Sequence, residues 1–150
     1  MSIFQAMNAS ASALTAQRLR MDVASSNIAN ANSTRATIDE DGNWEPYRRK
    51  MVVFQSADSN FSRYLHNESV STNASSGVRA TKITEDREPF KIVHNPNHPD
   101  ANEDGYVEVP NVDPLQEMVD MMSATRSYEA NVTAVNASKS MLMKSLEIGR

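Results

Sequence analysis

DPLQEMVDMMSATRSYEANVTAVNASKSMLMKSLEIGR, residues 113–150, is the stretch that decides the fold. Asp113 is a natural N-cap, Pro114 suits the first helical position, and Gln116 completes a box-like spacing. From there Met118, Met121, Thr125, Tyr128, Val132, Val135, Lys139, Leu142 and Leu146 follow alternating three- and four-residue steps. That is the seam of a heptad helix, with Thr125 and Lys139 as polar interruptions. Nothing breaks the pattern before Gly149, so the helix runs about 35 residues, or ~50 Å at 1.5 Å per residue. Glu117 and Asp120 near its start, with Lys144 and Arg150 near its end, match the helix dipole.

A second helical pattern stands at the other end of the chain. Ser2 and Gln5 form a capping box, and Met7, Leu14, Met21 and Ile28 then recur every seven residues. Phe4 and Ala11 occupy the companion heptad position, which Arg18 and Ser25 weaken further along. Neither Pro nor Gly interrupts residues 2–32, and Asn30-Ala31-Asn32-Ser33 supplies a stop. Residues 1–17 carry no charged side chain; Ala6, Ala9, Ser10, Ser12, Ala13 and Ala16 fill the positions outside the stripe. A lone surface helix carries a charged face, so these small residues predict close approach by other helices.

Between the helices, residues 44–55 read as a strand containing the run Met51-Val52-Val53-Phe54. Residues 56–77 read as a Ser/Asn-rich mobile loop, and Val78 to Thr84 as a second strand. Phe90 to Val93 and Tyr106 to Val109 add two short strands around a Pro/Asn/Asp loop. The expected fold is therefore mainly α with a small β subdomain, its long terminal helices pairing as an antiparallel coiled coil. The corresponding domains are 1–35, 36–112 and 113–150.

Composition narrows the function. With 39% apolar residues, 18 Ser, 14 Asn and a mean hydropathy of −0.55, the chain is thin for a compact enzyme. It suits a protein completed by its neighbours. The 4 glycines are too scattered for a phosphate loop, and the absence of cysteine excludes disulfides and thiolate chemistry. A net charge of −4, with Arg48-Arg49-Lys50 the sole basic run, argues against nucleic acid. No cleavable signal segment and no apolar run long enough to span a bilayer is expected.

No catalytic, cofactor-binding or metal-binding residue is assigned. Asp100-x-Asn102-x-Asp104-Gly105 copies half of a calcium loop, but Asn111 stands where the bidentate Glu belongs. The simpler reading is an Asx-rich turn between strands, stiffened by Pro96 and Pro99. His94 and His98 are separated by Pro96, which keeps them off one helical face, and His66 has no predictable partner. The methionines of the last helix suit irregular helix interfaces. On the residues alone, a subunit of a larger assembly and a soluble helical adaptor or export-chaperone-like binding module are both open.

Leu14, Gln17, Arg20, Met21, Asp22 and Val23 lead into Ser26-Asn27-Ile28-Ala29-Asn30-Ala31-Asn32-Ser33-Thr34. This resembles the N-terminal signature of the bacterial flagellar rod and hook proteins. Glu117-Met118, Ala124-x-Arg126-Ser127-Tyr128-Glu129-Ala130-Asn131 and Leu146-Glu147-Ile148-Gly149 resemble the family's second signature. Ser33 to Arg35, Pro46 to Arg49 and His98 to Val112 are similar to its proximal-rod branch. Arg35-Ala36 replaces the Gly-aromatic step usual in hook and distal-rod relatives. The resemblance implies a structural subunit of the basal body, exported by the flagellum's own type III apparatus and assembled helically into the rod. Its implied partners are copies of itself, other rod proteins and export-gate or ring components. Within a subunit, Met7, Leu14, Met21 and Ile28 are expected to pair with Met121, Tyr128, Val135 and Leu142. Ala6, Ala9, Ala13, Ala16, Asn27, Asn30 and Asn131 are the expected subunit–subunit contacts.

Overall fold

The structure is a computed structural model describing residues 3–39, 42–57 and 77–149. Its elements in chain order are α1 (Ile3–Ala29), β1 (Thr37–Ile38), β2 (Trp44–Glu45), β3 (Lys50–Ser56), β4 (Val78–Glu85), β5 (Lys91–His94), β6 (Tyr106–Val109) and α2 (Pro114–Ile148). The strands form three two-stranded sheets, β1 with β2, β3 with β4 and β5 with β6. Two long terminal helices and a small β-rich middle are thus as the sequence predicts. The predicted loop at 56–77 lies almost wholly outside the described residues, as do Ser2 of the predicted capping box and His66.

Local chemistry sets the helix ends. Asp113 caps α2, its Oδ1 accepting from the Leu115 amide at 3.0 Å, with Pro114 next in line. Helix α1 closes earlier than its composition allows, because Ala31 N donates to Ile28 O and Ser33 N to Asn30 O in tightened turns.

The predicted strand at 44–55 is two strands with a break. Pro46 lacks a ladder donor, and the amides after it are drawn elsewhere. Tyr47 N donates to Ser33 O at 3.0 Å and Arg49 N to Asn111 Oδ1 at 2.8 Å. Strand β1, too short to show a period, was not predicted. Its register sets Ile38 opposite Trp44, both well exposed.

The described chain divides into two compact units, each drawing on both helices and the middle. The first gathers 3–20, 53–57, 77–82 and 123–149. Its closed positions are small: Ala16 and Ala124 are buried. On α2 the covered stripe runs Ala124, Tyr128, Asn131, Val135, Ser138, Leu142, with the predicted Val132 half-buried beside Asn131, while Thr125 and Lys139 are exposed. At the two polar interruptions the covered position therefore lies one residue earlier than predicted, at Ala124 and Ser138. On α1, Phe4, Asn8, Ala11, Thr15 and Arg18 form the exposed row. Phe4 and Ala11 thus face away from the covered side.

Ser12 docks the start of β4 in this unit. Its hydroxyl donates to Ala9 O at 2.7 Å and accepts from Val78 N at 3.0 Å. Gly77 fits there because a Cβ would fall on the Ser12 hydroxyl. Gly77→Ala is therefore expected to destabilise the chain by about 1–3 kcal/mol, as overpacking does. It should also speed amide exchange at Val78, and adding Ser12→Ala should recover part of the loss. An unchanged denaturation midpoint would contradict this packing.

The second unit gathers 21–39, 42–52 and 83–122 and holds most of the buried side chains. Ala24, Tyr47, Val107, Pro110 and Val112 are among its buried apolar residues, and Asn27, Asn111 and Glu117 are buried with them. Three buried polar residues in so small a core call for partners.

Candidate functional site

Asn27, near the end of α1, is 1% exposed and fully satisfied. Its Nδ2 donates to Lys50 O and to Glu117 Oε2, both at 2.9 Å. Its Oδ1 accepts from the Tyr47 hydroxyl and from Lys50 N, both at 3.0 Å. An asparagine offers two donors and an acceptor with two lone pairs, and all are used. The side chain grips both backbone groups of Lys50 as a neighbouring strand would, at the first residue of β3.

Glu117, in the first turn of α2, is 2% exposed and accepts on both oxygens. Asn27 occupies Oε2, and Arg49 Nε donates to Oε1 at 2.6 Å. Arg49 also reaches Asp86 Oδ2 at 3.3 Å through Nη1 and lies 3.7 Å from Asp120 Oδ2 through Nη2. Asp86 N returns a hydrogen bond to Arg49 O at 2.8 Å. Asn111 accepts from Arg49 N and donates to Glu88 O at 3.1 Å. Burial opposes the charge on Arg49, but its hydrogen bonds and charge contacts with Glu117 and Asp86 outweigh that and raise its pKa. Asn27, Tyr47, Arg49, Asp86, Asn111 and Glu117 make one polar knot. It ties the end of α1, the middle segment and the start of α2.

A second tie fastens the 95–105 loop. Asp100 accepts from Thr34 Oγ1 at 2.8 Å and from Arg35 Nε at 2.6 Å, and its amide donates to His98 Nδ1 at 3.1 Å. Gly105, at φ +77°, closes the loop against His94 and Pro96, where a Cβ would be crowded. Both oxygens of the residue that would begin a calcium loop are thus engaged within the chain. Among the described residues, no group of three His, Asp or Glu is placed to hold a metal ion.

The hydrogen bonds from Arg35 and then Thr34 hold the Asp100 carboxyl below its ordinary range. A depressed carboxyl contributes stability above the unfolded pKa of about 3.9, and loses it as pH falls through the lower folded value. Carbon-detected NMR titration should place the Asp100 midpoint below about 3.9, and Arg35→Ala should move it up toward that value. A midpoint at or above it in the unmodified chain would refute the tie.

The knot offers no nucleophile beside a base. Its ionisable groups are engaged with one another, an arrangement that holds chain segments together. Comparison with known proteins agrees. Residues 7–37 match the family described as Flagella basal body rod protein, and residues 103–148 match Flagellar basal body rod FlgEFG protein C-terminal. The chain is 60% identical to the flagellar basal-body rod protein FlgC of Bacillus subtilis, over 100% of both chains. It is 42% identical to FlgC of Borreliella burgdorferi, over 99% of this chain and 98% of that one. FlgC of Salmonella typhimurium is 40% identical over 100% of both. The chain belongs to the FlgC family of flagellar basal-body rod proteins. It is a structural subunit of that rod, not an enzyme.

Within the FlgC signatures, the structure separates inward residues from outward ones. Asn27, Tyr47, Arg49, Asn111 and Glu117 come from separated motifs and meet in the knot. Asn27, expected at a subunit contact, is closed inside the chain and has no surface for a neighbour. Asn30 Nδ2 donates to Ser26 O, its Oδ1 accepts from the Ser33 hydroxyl, and Asn131 Nδ2 donates to Ser127 O. Ala16 is buried, whereas Ala6, Ala9 and Ala13 are half-buried. Met7, Leu14, Met21 and Ile28 are half-buried on α1, as are Met121, Tyr128, Val135 and Leu142 on α2.

Reading the sequence missed Arg49, Asp86, Asn111, Glu117 and the Arg35–Asp100 tie as site residues. Arg48-Arg49-Lys50 read as the sole basic run, yet Arg49 leaves it to meet Glu117 and Asp86. The available signal was that polar residues able to complement one another recur across the FlgC motifs. Nothing in a linear sequence says which of them meet.

Proposed function

We propose that the chain assembles helically, with copies of itself and other rod proteins, into the proximal rod that carries motor torque across the periplasm. In this reading α1 and α2 pair antiparallel through Met7/Leu14/Met21/Ile28 and Met121/Tyr128/Val135/Leu142. Ala6, Ala9 and Ala13, which stay half-buried in the single chain, lie toward neighbouring subunits, and export proceeds without a cleaved signal, at a base formed by export-gate and ring components. The observation that carries the reading is the uneven burial. The signature residues hold the middle to both helices, while Phe4, Met141, Leu146 and Ile148 stay 57–79% exposed. Large exposed side chains on a bare helix face mark surfaces covered in an assembly, and that burial stabilises the fold only when neighbours arrive. No helix among the described residues is long and apolar enough to cross a membrane.

Electron microscopy of basal bodies from a strain lacking the chain tests this. Rings without a completed rod are expected, with the rod restored by the intact chain. Complete rods in the deletion strain would refute it. An adaptor role is disfavoured, because the full-length relatives are themselves rod proteins.

A further inference from the structure

One face of the second unit shares only Tyr47 with the knot. Beside β2 and β3 lies a groove of about 470 Å³ whose wall includes Arg35, Tyr47, Arg48 and Lys50, with Glu45 and Glu85. The guanidinium of Arg48 stacks 4.2 Å above the Phe90 ring, and Lys50 Nζ lies 5.6 Å from the Tyr47 ring. Neither cation has a carboxylate partner among the described residues. Stacking holds a guanidinium by its face and leaves its in-plane N–H donors free, which preorganises it to take a carboxylate bidentately.

The same unit presents unmatched carboxylates. Glu103 and Asp104 are exposed at the end of the 95–105 loop, and neither makes an ion pair among the described residues. Their loop is stiffened by Asn95 N to Gly105 O, Asn102 N to Tyr106 O and Gly105 N to Asn102 O bonds, and by the Arg35–Asp100 tie. We infer that Glu103 and Asp104 of one copy dock in the Arg48/Lys50 groove of a second copy. Both surfaces are held in place before they meet, which lowers the ordering cost that makes exposed ion pairs weak. The loop's third carboxylate, Asp100, is already held by Thr34 and by Arg35 of the groove wall, which leaves Glu103 and Asp104 as the pair that can reach a second copy. The inference rests on the rod-assembly reading and adds a contact between copies outside the helices.

The cysteine-free chain makes the test clean. A chain carrying Arg48→Cys and Glu103→Cys is expressed in place of the natural one, and its isolated basal bodies are oxidised and run on denaturing gels. Disulfide-linked dimers are expected from the double variant and from neither single one. In parallel, Arg48→Glu should reduce swimming, and adding Glu103→Arg should restore it. Rods that contain the double-cysteine chain without dimers, or a charge swap that restores nothing, would overturn the contact and leave the rod reading intact. Absence of the natural chain from isolated rods would overturn both.

Discussion

Glu117→Ala is expected to destabilise the purified chain by about 3 kcal/mol or more, the size of loss seen when one partner of a buried, hydrogen-bonded ion pair is removed. The reason is specific to the acceptors. Both carboxylate oxygens of Glu117 are in use, one by Asn27 Nδ2 and one by Arg49 Nε, and the residue is 2% exposed. Alanine leaves an amide donor and a guanidinium facing a void. Glutamine is close in shape but cannot repair it, because its amide nitrogen must face one of two donors. Glu117→Gln should therefore cost about 1–3 kcal/mol, that of one unsatisfied buried donor. Asn27→Ala combined with Glu117→Ala should cost less than the sum of the two singles, since each removes the same hydrogen bond. Urea denaturation of the three variants measures all of this. A single-variant loss below about 1 kcal/mol, the worth of an ordinary exposed pair, would mean that the knot does not hold the unit together.

Leu142→Asp should abolish swimming and leave rods incomplete, with little change in the urea midpoint of the second unit. Leu142 lies in the covered stripe of α2 with Val135 and Tyr128, half-buried in a single chain. A carboxylate there would be carried into an apolar contact on assembly, and an unpaired buried charge costs several kcal/mol per site. Repetition at every copy of a helical array multiplies that penalty. Leu142→Met keeps volume and should swim normally. Lys139→Asp is the control. The sequence pattern puts residue 139 in the seam, whereas the structure leaves it exposed, so this change should be far milder than Leu142→Asp. Equal defects at 139 and 142 would restore the sequence-based seam; normal swimming by Leu142→Asp would remove the stripe's role altogether.

The contrast between these positions shows how far the pattern could be read. Heptad spacing is periodic, so Met121, Tyr128, Val135 and Leu142 are legible without coordinates. The companion row is legible only at Val132, because Ala124 and Ser138 look like surface residues beside Thr125 and Lys139. Only the closeness of approach makes small side chains the covered ones. The β region shows the opposite failure. Residues 44–55 have strand composition throughout, yet Tyr47 and Arg49 turn their amides to Ser33 and Asn111. Those partners lie up to 62 residues away in the chain.

By itself, then, the sequence determined the two terminal helices, the small β-rich middle and, through its signatures, the FlgC resemblance. Each of these rests on local information: hydrophobic period, caps, breakers and motif order. Tertiary structure alone decided that Asn27 turns inward, that Arg49 leaves a basic run to meet Glu117, and that Asp100 is held by Thr34 and Arg35. A buried polar group must find its partner wherever the chain brings one. Complementarity of donors and acceptors across tens of residues leaves no periodic trace.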